Sequence, residues 1–459
     1  MIDIALMFEP IYKFLMVTAG GMTLYGMSDV ILSNAKSSNA LCKAKELKEY
    51  ISHGSNNLAI SENVTIKRKY ANEHVLMVGP QGCGKSTRFI MHNVKACQGI
   101  TQIITDPSGE IRERVCLDKD TKVITLNLLS EDTCGYDILA NCNNTFDVKN
   151  AVETLLINGA LSMGTETSVD RLDWVQMSLP LVKAFAVMNF KTRRYKFDDM
   201  MLNILVRPMA KSEIRQGTPD ISLETEIMSS GVVEAQTEML SFLKVKDSPQ
   251  TLGSIRNTLT ASLQLFHEPN VQRVCRKDSI NFEELRKTPT TVFIQVPERY
   301  SRHYSPLTSV FLQQLIDRCL DVQGVPIQFL FDEFCNIGKI PDLDLVLSTC
   351  RKHSISIVAC IQNLTQLTKV YGEIQAKELQ ELFKTILVCG GLKDSCEYFS
   401  NMIGKTFKTE KDKEIEKQVI TSDEIRRLDR DSVLVLCQNK RAVIDRLLPI
   451  YGKGINYGS

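Results

Sequence analysis

Short, nearly continuous apolar runs recur along the chain from residue 74 onward, and polar or glycine-containing stretches bound each of them. A strand that is buried on both faces of a parallel sheet has this pattern, whereas a half-exposed strand alternates apolar and polar residues. Stretches with helical spacing separate the runs, so the pattern predicts a doubly wound α/β fold with a mostly parallel sheet. The predicted strands cover residues 74–79, 101–106, 122–127, 291–296, 327–332, 355–362, 385–390 and 432–437.

The strand pattern stops between residues 146 and 250, where apolar positions follow helical spacing instead. We therefore expect an all-α insertion over residues 146–250. The two parts of the α/β domain would then be residues 36–145 and residues 251–459. Within the second part, residues 405–431 carry mixed charges and few apolar side chains, which is typical of a solvated connection.

An apolar segment near the N-terminus, residues 11–27, is slightly short for a membrane span and contains Lys13. A spanning helix usually needs about 20 apolar residues. A membrane anchor over residues 1–35 and a buried or peripheral amphipathic helix therefore both fit the pattern. No basic region precedes the segment, so a signal peptide is disfavoured.

The charge balance excludes a strong overall attraction to nucleic acid. The 459 residues include 55 Lys and Arg and 54 Asp and Glu, a net charge of +1. Any DNA contact must therefore come from a local basic surface or from the inner loops of an assembly, and solvent-facing lysines such as Lys369 and Lys377 are candidates. The 14 cysteines are scattered without a C-x-x-C pair, which favours a reducing compartment.

A glycine-rich segment that directly follows the first apolar run matches the phosphate-loop pattern G-x-x-x-x-G-K-[ST] and precedes a helical stretch. In this context, backbone N–H groups and the helix N-terminus bind the phosphates, Lys85 reaches the β- and γ-phosphates, and Ser86 binds Mg²⁺. ATP with Mg²⁺ is the expected ligand. The predicted nucleotide-binding residues are Gly79, Pro80, Gln81, Gly82, Cys83, Gly84, Lys85, Ser86 and Thr87.

Two adjacent carboxylates, Asp332 and Glu333, end another apolar strand. Because unpaired buried charges are costly, both should lie at the exposed end of that strand, near the phosphates. We expect Asp332 to complete the Mg²⁺ shell and Glu333 to activate the attacking water. Gln362 ends the next predicted strand and Arg351 lies in a basic turn before it; from position alone, a strand-end amide and a solvated turn are the simpler interpretations.

Together these motifs resemble the type IV secretion and conjugative DNA-transfer coupling ATPases of the TraG/TraD kind. The resemblance covers about residues 72–440, and four linked motifs occur in the family's order. Besides the phosphate loop they are T-D-P-S-G-E (105–110), D-E-F-C-N-I-G-K-I-P (332–341) with a following R-x-x-x-I-S turn, and Q-N-L-T-Q-L (362–367). The chain departs from the pattern at Ser108, where the family has Lys, and at residues 136–139, where it often has Asn-Pro.

The resemblance implies a RecA-like P-loop ATPase that forms a ring of six subunits on the cytoplasmic face of a bacterial inner membrane. It implies that Arg351 is an arginine finger supplied in trans and that Gln362 senses the γ-phosphate. It also implies that the insertion receives the substrate. The implied partners are single- or double-stranded DNA, a relaxase or effector protein, and the subunits of a secretion channel.

Three other functions share some of these features. A DNA-pumping ATPase of the chromosome-segregation or packaging type would have the loop and the acidic pair, but not the stretch from Asn336 to Pro341. A non-catalytic, nucleotide-gated receptor would lack Glu333 or Arg351. A kinase would need an acceptor site and a lid, for which the sequence offers no signal.

Overall fold

The computed structural model describes residues 41–52, 54–163, 168–214, 221–244, 249–277, 279–410 and 413–452. The structure contains all eight strands that the apolar runs predict, and no strand end differs from its predicted position by more than one residue. The strands are β1 (Leu58–Ala59), β2 (Thr65–Ile66), β3 (Val75–Val78), β4 (Thr101–Thr105), β5 (Lys122–Asn127), β6 (Thr290–Gln295), β7 (Ile327–Phe331), β8 (Ile355–Ile361), β9 (Thr385–Cys389), β10 (Lys405–Glu410), β11 (Lys413–Gln418), β12 (Ser432–Cys437) and β13 (Val443–Arg446).

A nine-stranded sheet with the order β13-β12-β9-β3-β8-β7-β4-β6-β5 forms the centre of the molecule. Neighbouring strands from β9 to β5 are parallel, whereas β12 pairs antiparallel with both β9 and β13. The carboxyl ends of β3, β8, β7 and β4 therefore lie side by side at one edge of the sheet. This confirms the predicted mostly parallel sheet.

Helices cover both faces of the sheet. They are α1 (Arg68–Ala71), α2 (Met91–Ala96), α3 (Glu110–Arg114), α4 (Thr145–Ser162), α5 (Ser168–Thr192), α6 (Phe197–Val206), α7 (Leu223–Ser229), α8 (Val233–Leu243), α9 (Pro249–Leu263), α10 (Pro269–Arg276), α11 (Glu298–Asp321), α12 (Leu343–Cys350), α13 (Leu364–Tyr371), α14 (Glu373–Leu382), α15 (Ser395–Ile403) and α16 (Ser422–Arg426). A π-helical turn, Lys85–Ile90, leads into α2, and short 3₁₀ turns are Ala44–Leu47, Lys211–Glu213, Gln264–His267, Glu283–Arg286, Phe334–Asn336 and Arg351–His353.

Alternate residues of β3 show that the sheet is buried on both sides. Leu76 and Val78 belong to a core that also contains the helices between β5 and β6. Val75 and Met77 belong to a second core on the opposite face, with side chains from α2. Two cores on opposite faces are what a doubly wound sheet requires.

The helices between β5 and β6 run from Thr145 to Arg276, so they continue past residue 250. We expected the insertion to end at residue 250 and assigned the segments that form α9 and α10 to the second part of the α/β domain. The side chains of α4 share one core with α5, with α11 and with a face of the sheet. The division into domains at residues 36–145, 146–250 and 251–459 stays a prediction.

The charged stretch that we expected to be a solvated connection forms an antiparallel ribbon of β10 and β11. Opposite charges meet diagonally across it, as in the Lys405–Glu416 ion pair, whose Nζ and Oε2 atoms are 2.9 Å apart, while Gln418 is the direct neighbour of Lys405. Cross-strand pairs of this kind stabilise a ribbon without an apolar face, so the hydrophobic pattern gave no sign of it.

Within the ranges that the structure describes, no helix is long and apolar enough to cross a bilayer. The membrane anchor that we predicted over residues 1–35 lies outside those ranges.

Candidate functional site

The phosphate loop connects β3 to the π-helical turn that begins at Lys85. Gly82 and Gly84 have φ angles of 79° and 98°, which side-chain-bearing residues rarely adopt. A Cβ at Gly82 would meet no heavy atom within 4 Å, so the outer turn of the loop is open to a ligand. Cys83 lies on the inner side, where a hydrogen bond from Cys389 lowers the pKa of the Cys83 thiol to about 7.

Lys85 is buried at the base of the loop. Its Nζ donates hydrogen bonds to the carbonyl oxygens of Gly79 at 3.1 Å and Pro80 at 3.3 Å. The same Nζ is 3.3 Å from Oε1 of Glu333. Burial is the largest single influence and lowers the pKa of Lys85, but the Glu333 carboxylate together with the nearby Cys83 and Cys360 raises the pKa overall. The ammonium group therefore stays charged at the point where phosphates would enter.

Asp332 ends β7 directly beside the loop, and the Ser86 hydroxyl donates a hydrogen bond to its Oδ2. The other carboxylate oxygen, Oδ1, is buried and has no hydrogen-bond partner among the described residues. Burial raises the pKa of Asp332 to about 6. Thr105, at the end of β4, donates to the Asp332 carbonyl oxygen at 2.9 Å and fixes the backbone there.

These groups fit a Mg²⁺ site. A buried carboxylate oxygen without a partner, next to a hydroxyl, offers two hard oxygen ligands to a cation. The described residues contain no cluster of three or more His, Cys, Asp or Glu side chains with metal-binding geometry. Mg²⁺ does not need one, because it usually takes one or two protein ligands and fills its shell with phosphate oxygens and water.

Glu333 lies between Lys85 and Gln362. Its Oε2 accepts a hydrogen bond from Gln362 Nε2 at 3.1 Å, while its Oε1 faces Lys85. Its φ angle of 59° is left-handed, which costs a residue with a side chain roughly 1 kcal/mol and turns the chain sharply away from β7. The backbone N–H of Gln362 donates to Gln366 at 2.8 Å. The structure therefore places Gln362 next to the acidic pair, as we expected.

Sequence reasoning assigned no role to Asp106, although it lies in the quoted 105–110 motif. The Asp106 carboxylate ends β4 and accepts hydrogen bonds from the backbone N–H groups of Ile111 and Arg112 at 3.1 and 2.9 Å. Gln295 donates to it at 3.2 Å. Burial raises its pKa, and these three donors oppose that shift. Asp106 thus holds the start of α3 against the sheet next to the site. The motif over residues 105–110 was the sequence feature that could have indicated this role.

Arg351 is not part of its own chain's phosphate site. Arg351 precedes the amino-terminal end of β8, whereas the phosphate loop follows the carboxyl-terminal end of the parallel neighbour β3. The two therefore lie at opposite ends of the strands, which form opposite edges of the sheet. The guanidinium of Arg351 is paired with Glu73 at 2.7 Å, and 66% of the Arg351 side chain is exposed. It lines a cleft of about 740 Å³ at that edge. If Arg351 contributes to hydrolysis, it must do so in a neighbouring copy.

Comparison with known proteins gives a consistent result. A family model described as type IV secretory system conjugative DNA transfer matches residues 29–451. Protein VirD4 of Rhizobium radiobacter is 23% identical over 158 residues, which are 32% of this chain and 22% of that protein. The chain therefore spans less than a quarter of the length of this curated relative.

Solved structures with the same fold include coupling proteins. The plasmid coupling protein TrwB in complex with the GTP analogue GDPNP has a TM-score of 0.72 and 18% identity, and the match covers 91% of this chain and 95% of that one. TrwB in complex with ADP and Mg²⁺ has a TM-score of 0.70 and 17% identity, over 91% and 95% of the two chains. VirB4 of Thermoanaerobacter pseudethanolicus has a TM-score of 0.52 at 13% identity, over 87% and 98%. These likenesses show a RecA-like P-loop NTPase fold with an added helical part.

Proposed function

The chain belongs to the type IV secretory system conjugative DNA transfer family, and we propose that it is an ATP-hydrolysing coupling protein of that machinery. In this role it receives a DNA–relaxase complex or an effector protein and passes it to a transmembrane channel. The convergence of Lys85, Asp332, Glu333 and Gln362 at one edge of the sheet is the observation that carries the proposal. The family that the motifs indicated is confirmed.

The loop residues bind the nucleotide. The open turn at Gly82 and the N-terminus of the following helix direct backbone N–H groups at the phosphates. Lys85, which the site keeps charged, interacts with the β- and γ-phosphates. Ser86 and Asp332 would hold Mg²⁺, which neutralises phosphate charge when it is bound.

Glu333 activates water in this mechanism. An entering triphosphate replaces Glu333 as the partner of Lys85, which leaves the carboxylate free to accept the proton of the attacking water. Gln362 keeps the Glu333 side chain in place through the 3.1 Å hydrogen bond, and its amide reports whether the γ-phosphate is present. The charge that develops on the transferred phosphoryl group is neutralised by Arg351 of the next subunit.

The arrangement in trans requires an assembly. Because the loop and Arg351 lie at opposite edges of the sheet, each subunit can offer a loop to one neighbour and a cation to the other. Repetition of such a head-to-tail contact closes into a ring when the rotation per subunit divides a full turn, and we propose six subunits. Residues 1–35 would anchor the ring at a bacterial inner membrane, with the helical part facing the cytoplasm.

ATP turnover and nucleotide binding by the full chain test the proposal. We expect Lys85→Ala to weaken nucleotide binding and abolish turnover, because Lys85 contacts the phosphates before and during reaction. Glu333→Gln should keep nucleotide affinity within a few-fold and lower turnover by about 100-fold or more, because it removes only the base. Lys119→Ala, which changes an exposed loop lysine, is the control with the same loss of charge.

Two results would contradict this assignment. An equal loss of nucleotide affinity in Lys85→Ala and Glu333→Gln would show that Glu333 does not act on water. Wild-type protein that binds ATP without turnover, alone and with single-stranded DNA, would make the chain a nucleotide-gated receptor.

A further inference from the structure

A second cleft, of about 480 Å³, opens between the helical part and the sheet. Its walls are the end of α4, the first turns of α11, the loop that follows Phe334–Asn336, and the end of α13. Three cationic side chains line it: Arg302, Lys339 and Lys369. The described residues that line it include no Asp or Glu and no aromatic side chain.

These three cations have no anionic partner in the part of the chain that the structure describes. Many other basic residues are paired, as Lys95 is with Asp118 at 2.8 Å and Arg276 is with Asp198 at 2.6 Å. In a chain whose net charge is only +1, three unpaired cations around one concave surface form a local positive field. We propose that this basic cleft binds the phosphodiester backbone of a DNA strand.

The position of Lys339 is fixed by the surrounding structure. The buried amide of Asn158, on α4, accepts a hydrogen bond from the Lys339 N–H at 2.6 Å and donates one to its carbonyl at 2.9 Å. Gly338 has a φ of 91°, and a Cβ there would approach Asn158 Oδ1 to 2.7 Å. Thr308, on α11, donates to the Ile337 carbonyl at 3.2 Å. These hydrogen bonds hold the helical part and the loop that follows Phe334–Asn336 together as one continuous surface.

Two segments that line the cleft are continuous in sequence with residues of the proposed hydrolytic site. Lys339 follows Glu333 by six residues along one connection, and Lys369 follows Gln362 by seven along the other. Glu333 and Gln362 are joined by their 3.1 Å hydrogen bond. Two more contacts join the same two connections. The rings of Phe334 and Tyr371 stack with an interplanar angle of 7°, and Ile340 N–H donates to the Tyr371 hydroxyl at 3.4 Å.

This connection gives the cleft a role that rests on the proposed function. A strand that draws Lys339 and Lys369 toward its phosphates acts on both elements that position Glu333 and Gln362. Occupancy of the cleft should therefore change the rate of hydrolysis. A cleft lined by cations and by no aromatic side chain contacts mainly phosphates, which carry no sequence information, so binding should depend little on sequence.

Fluorescence anisotropy with the full chain tests the cleft. The probes are labelled single-stranded and duplex oligonucleotides of about 20 nucleotides, with inorganic phosphate and polyglutamate as competitors. The variants are Arg302→Gln, Lys339→Gln and Lys369→Gln, alone and combined. Lys119→Gln is the matched control, because Lys119 is an exposed loop lysine that does not line the cleft.

The triple variant should bind the single strand at least about tenfold more weakly at low salt. Each single variant should lower the slope of log affinity against log salt by about 0.7 for a single strand, the contribution of one phosphate contact. Lys119→Gln should leave both quantities unchanged. Because Lys339 is half-buried, melting curves check folding, and the Arg302→Gln/Lys369→Gln double variant, in which both side chains are exposed, repeats the test.

Cleft variants that bind DNA like wild type, or a control that loses as much affinity as they do, would overturn the inference. A further contrary result is displacement of the labelled oligonucleotide by polyglutamate as effectively as by unlabelled DNA of equal charge. That result would assign the cleft to an acidic protein segment and would also overturn the inference. ATP turnover measured without DNA separates the two claims: a protein that hydrolyses ATP but binds no DNA keeps the proposed ATPase and loses the cleft.

Discussion

The two adjacent carboxylates at the end of β7 occupy different surroundings, which gives them different chemistry. Asp332 is buried, with one oxygen on Ser86 and the other without a partner, and its pKa is raised to about 6. Glu333 turns away in a left-handed conformation and contacts Lys85 and Gln362. One carboxylate is therefore suited to a cation and the other to a proton of water.

The raised pKa of Asp332 makes the stability of the free protein depend on pH. Because its pKa is higher in the folded state than its ordinary value of 3.8, the folded state favours the protonated form. That contribution is fully present below about pH 4 and is lost as the pH rises through about 6. At pH 8 the ionised Asp332 should cost the nucleotide-free protein up to about 3 kcal/mol.

Asp332→Asn removes this titration and should raise the Tm of the nucleotide-free protein at pH 8 but change it little near pH 4. The same change should abolish the additional stabilisation that Mg²⁺ gives to nucleotide binding, because a cation ligand is lost. Thermal melts at both pH values measure the effect, and Asp120→Asn, in an exposed loop, serves as control. A Tm difference that is equal at both pH values would contradict the assigned titration.

Some contacts of the site followed from the sequence and others did not. The proximity of Gln362 to Glu333 followed from adjacent strands, since both residues end strands of one parallel sheet. The Lys85–Glu333 ion pair and the clamp of Asn158 on Lys339 depend on side-chain packing between elements far apart in sequence. No local pattern carries that information.

Among the secondary-structure elements, those with a buried apolar face were predictable and those without one were not. The eight predicted strands all belong to the central sheet, and all except the edge strand β5 are buried along most of their length. The pattern missed β13 at the sheet edge and the charged ribbon of β10 and β11, which bury less of their surface. The helical part was recognised by its spacing, and α9 and α10 continue the run of helices past residue 250.

The connection from β7 to α12 depends on close packing at Gly338. Gly338→Ala should destabilise the fold by about 2–3 kcal/mol, because the new Cβ meets the Asn158 amide and adds the cost of a positive φ. Gly231→Ala has a comparable φ of 75° and open space, so it should cost only about 1 kcal/mol. Denaturant titration compares the two, and equal losses would show that the contact with Asn158 carries no energy.

For the whole molecule, the sheet separates the phosphate site from Arg351, which we propose acts in a neighbouring subunit. The phosphate loop, Asp332, Glu333 and Gln362 share one edge, and Arg351, paired with Glu73, lies at the other. Sequence alone could not place Arg351 inside or outside its own site, because its position relative to the loop depends on the direction of β8. If Arg351 acts in trans, as we propose, a monomer has an incomplete site, and specific activity should rise with protein concentration.

Complementation between two inactive subunits tests the account most directly. Arg351→Ala keeps an intact loop, Lys85→Ala keeps an intact Arg351, and each alone should show almost no turnover. Mixed full-length subunits should recover a substantial part of wild-type ATP turnover, because some interfaces join an intact loop to an intact Arg351. Absence of recovery in mixtures shown independently to co-assemble, beside an active wild type, would contradict the account and leave Arg351 as a surface residue of its own subunit.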